Sequence, residues 1–415
     1  MKKILFLCFL FFLSFKSLDV SGSSIVAARI GNEYYDTFLE AVSAAGSNDI
    51  ITLARDISLD ETLEINKTVN INLNNHEISA SEKVFLVQGG SLNVRGKGTI
   101  KETNPYYGAI VIKGSTNPDD VDYSTVSVSE GVTLEGWSGI FIDHDDKKSY
   151  GVLVNMDGDI NAVSDTDGGE GIGVYVNGYI SDSNNSPVIN LSDTVSIKST
   201  GNGIYSAGYA TYNINGAYIE GVQSGLGIKA GKFNIFDGTI KGTGDDETPT
   251  EGNNNGINAS GVAIQMESNS GYAGNIELNI KNGTIESENS YVIYEYIVNN
   301  TSTQVKNISL SGGNYISNAS LPVFSMSDSF NNNHKGFISG GSYSSSPEAY
   351  LKSGYTTSKN SNDMYEVISS AISVFALTNT SDSGGMPYVL ICGVLTILGI
   401  LIYLNREKIL NLIKR

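Results

Sequence analysis

The sequence predicts an all-β chain wound as a parallel β-helix, a solenoid in which each turn stacks on the last. Three observations carry that reading. The first is a recurring phrase: a turn residue, a small or aromatic residue, then an aliphatic one. It reads Gly98-Thr99-Ile100, Gly158-Asp159-Ile160, Gly178-Tyr179-Ile180, Ala217-Tyr218-Ile219, Gly238-Thr239-Ile240 and Gly283-Thr284-Ile285, with looser copies at Val132-Thr133-Leu134, Asn314-Tyr315-Ile316 and Gly341-Ser342-Tyr343. Copies returning every roughly 20–45 residues cannot bury their apolar faces alone and must bury one another's. The second is a pair of further strand classes that keep step with the phrase. One includes Leu92-Asn93-Val94, Val126-Ser127-Val128 and Phe233-Asn234-Ile235. The other opens on glycine, as in Gly139-Ile140-Phe141-Ile142, Gly171-Ile172-Gly173-Val174-Tyr175-Val176 and Gly203-Ile204-Tyr205. Three classes in fixed order predict three faces per turn, aliphatic residues inward and the residues between them outward. The third is that connections vary widely in length while strand order holds. A sandwich or barrel would show hairpin loops of two to five residues instead.

The chain has 415 residues, a net charge of −18 and 23 Tyr against 14 Phe. Residues 1–24 read as a secretory signal peptide: Met1-Lys2-Lys3, then an apolar run over 4–15, with cleavage expected between 21 and 28. The two cysteines, Cys8 and Cys392, lie outside the exported region, which points to a bacterial surface rather than a disulfide scaffold. Residues 386–404 are apolar and long enough to cross a bilayer as a C-terminal transmembrane helix. The basic tail at 405–415 then stays cytoplasmic by the positive-inside rule. The expectation is a single-pass membrane protein at the cell surface, with the β-helix outside. So acidic a chain is no partner for nucleic acid.

An open coil needs its ends covered. Residues 25–91 hold the expected N-terminal cap and first turns. A hairpin turns at Gly31-Asn32, and a capping box joins Thr37 to Glu40. Phe38, Leu39, Val42 and Ala45 then make the apolar stripe of a short capping helix. Residues 92–346 are the main coil. The cap at 347–368 combines a short helix at Pro347-Glu348-Ala349-Tyr350-Leu351 with a hairpin across Asn360-Ser361-Asn362-Asp363. A polar stalk at 369–385 leads to the membrane.

The stretch from Ala28-Arg29-Ile30-Gly31-Asn32 to Phe38-Leu39-Glu40-Ala41-Val42, then Asp49-Ile50-Ile51-Thr52-Leu53, resembles a known opening unit. Ile338-Ser339-Gly340-Gly341-Ser342-Tyr343, with Tyr350-Leu351 and Gly354-Tyr355, resembles the matching closing unit. Both are similar to those of adhesin-like surface proteins of low-GC Gram-positive bacteria with a pectin-lyase-like β-helix. The resemblance implies a right-handed, single-stranded coil and an adhesive role, on host or cell-wall glycan or protein. Some β-helix relatives are polysaccharide lyases or hydrolases.

A lyase would need a basic residue beside cation-holding acids. The exported arginines, Arg29, Arg55 and Arg95, all sit near the N-terminal end, although Lys113, Lys198, Lys229 and Lys232 remain. A glycosidase needs converging carboxylates. Asp143-His144-Asp145-Asp146 is the best local group, with Trp137 nearby as a sugar platform; the alternative is a solvated acidic turn. Trp137, Asp143 and Asp145 are therefore the candidate ligand contacts of a binding protein that is not expected to be an enzyme. Asp165, Asp167 and Glu170, in Asp165-Thr166-Asp167-Gly168-Gly169-Glu170, have the alternating oxygens of a Ca²⁺ loop. Leu377-Thr378-Asn379-Thr380-Ser381 resembles a sortase sorting signal through Leu377 and Thr380. It departs where proline is expected at Thr378 and glycine at Ser381, so a plain membrane anchor is the expectation.

Overall fold

The computed structural model describes residues 26–164, 170–180, 185–245 and 260–370. These are mostly strand, paired in parallel sheets of many strands, the arrangement expected of a β-helix or solenoid. Each strand class forms its own stack. In the second stack one inward residue per turn sits on the next: Ile57, Ile78, Ile100, Leu134, Ile160, Ile197, Ile219, Ile240, Ile285, Tyr315 and Tyr343. All are buried. The step between neighbours runs from 21 residues, Ile57 to Ile78, to 45, Ile240 to Ile285. Register therefore survives loop insertions, because a one-residue slip would turn every aliphatic side chain out to water.

The three faces are hydrogen-bonded as two sheets. The third stack is a ten-stranded sheet by itself. The first and second merge into one of 23 strands, since Thr211–Gly221 and Gly231–Gly242 each run through the corner between them. At that corner Gly238 and Gly283 hold φ of 128° and 113°, a region L side chains avoid. A second glycine role was not legible beforehand. Gly139, Gly173, Gly203 and Gly225, at the start of third-stack strands, leave room for the phrase isoleucines. A Cβ there would lie 2.3–2.7 Å from Cγ2 of Ile160, Ile197, Ile219 and Ile240, respectively. The second stack's inward side chains thus fill space that the third stack's glycines vacate.

Two copies of the phrase are corrected. Gly178-Tyr179-Ile180 belongs to no strand: Tyr179 is 51% exposed, and Ile180 packs with Tyr150, Tyr209 and Ala230 in a satellite cluster. Its place in the stack belongs to Ser196–Ser199, with Ile197 inward. In Asn314-Tyr315-Ile316 the buried residue is Tyr315 rather than the isoleucine, because the register glycine is Gly313, not Asn314.

The N-terminal helix, Phe38–Ala44, has the expected capping box, with Thr37 Oγ1 accepting from Glu40 N at 3.2 Å and Thr37 N donating to Glu40 Oε2 at 3.1 Å. Its buried stripe is Phe38, Ala41 and Val42, with Ala45 just beyond; Leu39, assigned to the stripe from sequence, is 53% exposed. Ala28–Ile30 closes that end antiparallel to Ile50–Leu53. At the far end Tyr355–Lys359 and Tyr365–Ser369 form the closing hairpin, and the latter pairs antiparallel with Ser342–Tyr343. The short helix there is a single 3₁₀ turn, Glu348–Tyr350. A further helix, Asp328–Asn333, buries Phe330 against Phe337. No helix of the described residues is long and apolar enough to cross a membrane. The segments read from sequence as a signal peptide, 1–24, and a membrane anchor, 386–404, lie outside them.

Candidate functional site

The outer faces of the three stacks are not alike. On the first stack the outward residues form an asparagine ladder. Asn190 donates to Asn155 at 2.9 Å, Asn213 to Asn190 at 2.9 Å and Asn234 to Asn213 at 3.0 Å. Such a ladder satisfies itself. On the second, Lys101 pairs with Glu135 at 2.9 Å and Lys241 with Glu288 at 2.6 Å, a charged surface in water. The third carries aromatic rings instead.

Outward positions of Ser138–Asp143, Ile172–Val176 and Asn202–Ser206 place Phe141, Tyr175 and Tyr205 in one cross-strand column. Phe141 and Tyr175 stack at 4.7 Å with planes 10° apart, and Tyr175 and Tyr205 lie 5.4 Å apart. Trp137, just before its strand, sets its ring edge-on to Phe141 at 6.2 Å and to Tyr175 at 5.8 Å. Such pairs are held in preferred offset and T-shaped geometries. The buried carboxylate of Glu102 accepts from the backbone amides of Trp137, Tyr106 and Tyr107 at 3.1, 3.0 and 2.7 Å, which fixes where Trp137 enters its strand. Burial pushes the Tyr175 hydroxyl up to about 12, with Tyr272 and the Asp143 carboxylate adding to it.

The sequence candidates divide. Asp143 ends the strand that Trp137 precedes, and Phe141, whose ring meets that of Trp137, lies between them in the chain. Asp145 lies beyond it in a tight turn that bridges to Lys148, with Asp146 and Lys147 at positive φ. Its carboxylate is taken by Lys113 at 2.8 Å and Gln88 at 3.4 Å, and the Lys113 hydrogen bond holds it below the usual aspartate range. Glu170 is exposed, while Asp165 and Asp167 lie outside the described residues. Among the described residues no group of three or more His, Cys, Asp or Glu is placed to hold a metal ion. Leu377, Thr380 and Ser381 also lie outside.

Further along the same face is a group that sequence reasoning did not assemble, although it named Lys229 among the remaining lysines. Lys229 ion-pairs with Glu267, the two being 4% and 1% exposed. The Lys229 ammonium sits 4.9 Å from the Tyr272 ring and 5.6 Å from that of Tyr205, and those two tyrosines are hydrogen-bonded. Glu267 also accepts from the Tyr296 hydroxyl at 2.6 Å and from Asn269 Nδ2 at 2.7 Å. The aromatic column had a signal, since Phe141, Tyr175 and Tyr205 each follow the inward aliphatic residue of a glycine-led strand. The Lys229–Glu267 pair had none, because 38 residues separate the partners. No protein-family model, curated protein or solved structure matches the chain.

Proposed function

We propose that the chain is a surface-displayed, right-handed, single-stranded β-helix that works by adhesion or ligand display, and that its ligand is a glycan held at Trp137. Export and anchoring are supported by the signal-like 1–24, the apolar 386–404 and the basic 405–415. One observation carries the glycan reading. The Trp137 ring is braced edge-on by Phe141 and Tyr175, with the Asp143 carboxylate two residues beyond Phe141 on the same outward face. A braced indole offers an apolar platform for the C–H face of a sugar, and a carboxylate accepts from its hydroxyls.

A glycan array probed with residues 26–370 tests this. Binding is expected, and Trp137→Ala should weaken it about tenfold or more, the usual loss for a tryptophan anchor. Unchanged binding in that variant removes the site. Absence of saturable binding to any glycan leaves a structural stalk. Turnover of a bound glycan, lost on Asp143→Asn, replaces adhesion with catalysis.

A further inference from the structure

We propose that Lys229 and Asn269 become joined by an intramolecular amide bond, with Glu267 as the proton carrier between them. The inference stands apart from the glycan reading and holds or fails whether or not a sugar binds.

Each part of such a reaction is present. The nucleophile is the Lys229 amine, closed off from water. Burial pulls its ammonium down despite the opposing pull of Glu267, which favours the neutral, nucleophilic form. The electrophile is the side-chain amide of Asn269, itself 1% exposed. One carboxylate spans both: Glu267 Oε2 meets Lys229 Nζ, and Oε1 accepts from Asn269 Nδ2 at 2.7 Å. The Asn269 carbonyl oxygen accepts from Gly271 N at 2.9 Å, a backbone donor aimed where negative charge develops on addition. Lys229 follows a strand that lies directly beside the one bearing Glu267 and Asn269, so the bond would tie two consecutive turns.

The step balances without a co-reactant. Neutral Nζ attacks Cγ of Asn269, forming the new C–N bond. Glu267 takes a proton from Nζ and passes one to Nδ2. The Cγ–Nδ2 bond breaks and Nδ2 leaves as ammonia, so no oxidant or reductant is required. An alternative, a plain buried ion pair, carries a desolvation penalty that the attraction does not reliably offset. The proton that turns the ammonium into the neutral amine stays on Glu267, so with ammonia gone the amide and a neutral Glu267 acid replace both buried charges.

The test is peptide mapping of the full chain, purified, denatured and digested with trypsin. We expect Lys229 to resist cleavage. The peptide that carries it should be recovered joined to the one with Asn269, lighter than their sum by one ammonia. Lys229→Met and Asn269→Ala should abolish the joined species. Asn269→Asp should give a joined product of the same mass, now by loss of water. Glu267→Gln should leave both peptides free in folded protein. If that variant does not fold, the wild-type map alone decides. Free Lys229 and Asn269 peptides from the wild-type chain overturn the proposal, and so does a bond from Lys229 to Glu267 itself.

Discussion

The first and third stacks share one interior and differ on the outside. On the first, Asn190, Asn213 and Asn234 each donate to the asparagine one turn before. That ladder ties each turn to the one before it and holds the coil in register. On the third, outward positions hold Trp137, Phe141, Tyr175 and Tyr205, and then the buried Lys229–Glu267 group. The Phe141 ring and the faces of Trp137 and Tyr175 offer apolar surface rather than a self-satisfying ladder, and a carboxylate such as Asp143 can accept from several donors. The lesson is that a solenoid's inner columns fix its shape, while the outward residue of each stack decides whether a face is structure or site.

The largest expected effect breaks what the two faces share. Gly203→Val places a Cβ about where Ile219 Cγ2 and the Gly225 carbonyl already are. Overpacking of this kind costs about 1–3 kcal/mol, more where backbone must move. Denaturant titration should show a lower midpoint, and both faces should lose order together. A midpoint equal to wild type would mean the corner is softer than these distances imply.

A change confined to one face sharpens the contrast. Asn213→Ala removes one hydrogen bond donated to Asn190 and leaves the Asn234 amide without its acceptor. At about 0.5–1.5 kcal/mol per bond, stability should fall by roughly 1–3 kcal/mol with ligand binding intact. Binding lost alongside stability would show that the faces are not independent.

The smallest effect lies in the acidic turn. The Lys113 hydrogen bond lowers the folded-state pKa of Asp145, so its contribution is present above the ordinary aspartate value and fades as pH falls through the folded one. Asp145 is nearly half exposed, which limits the effect to below about 1 kcal/mol. Thermal melts of Lys113→Met and wild type should differ slightly at neutral pH and converge in acid, once pH falls below the lowered folded-state pKa of Asp145. A difference that persists in acid would assign the effect to lost lysine packing.

Much of the fold was legible because period and composition are local. Ile100, Ile160 and Ile240 announce themselves by the glycine and the polar residue before them. Where the register was misread, at Gly178-Tyr179-Ile180, the local pattern was intact and only pairing showed that Ile197 holds the place. Of the candidate site, the sequence offered Trp137, Asp143 and Asp145 as neighbours, but not that Asp145 is already taken by Lys113.

By itself, then, the sequence determined a strand-rich chain of three classes, its capping box and its closing hairpin, since each depends on residues near one another in the chain. Tertiary structure alone decided three things. It placed the third-stack glycines beneath the isoleucines of the phrase, joined outward asparagines into one ladder, and brought Lys229 to Glu267 and Asn269. Each depends on which residue stands one turn above another. That is set by turns of 21 to 45 residues and by cooperative burial of the inner columns, which no local pattern encodes.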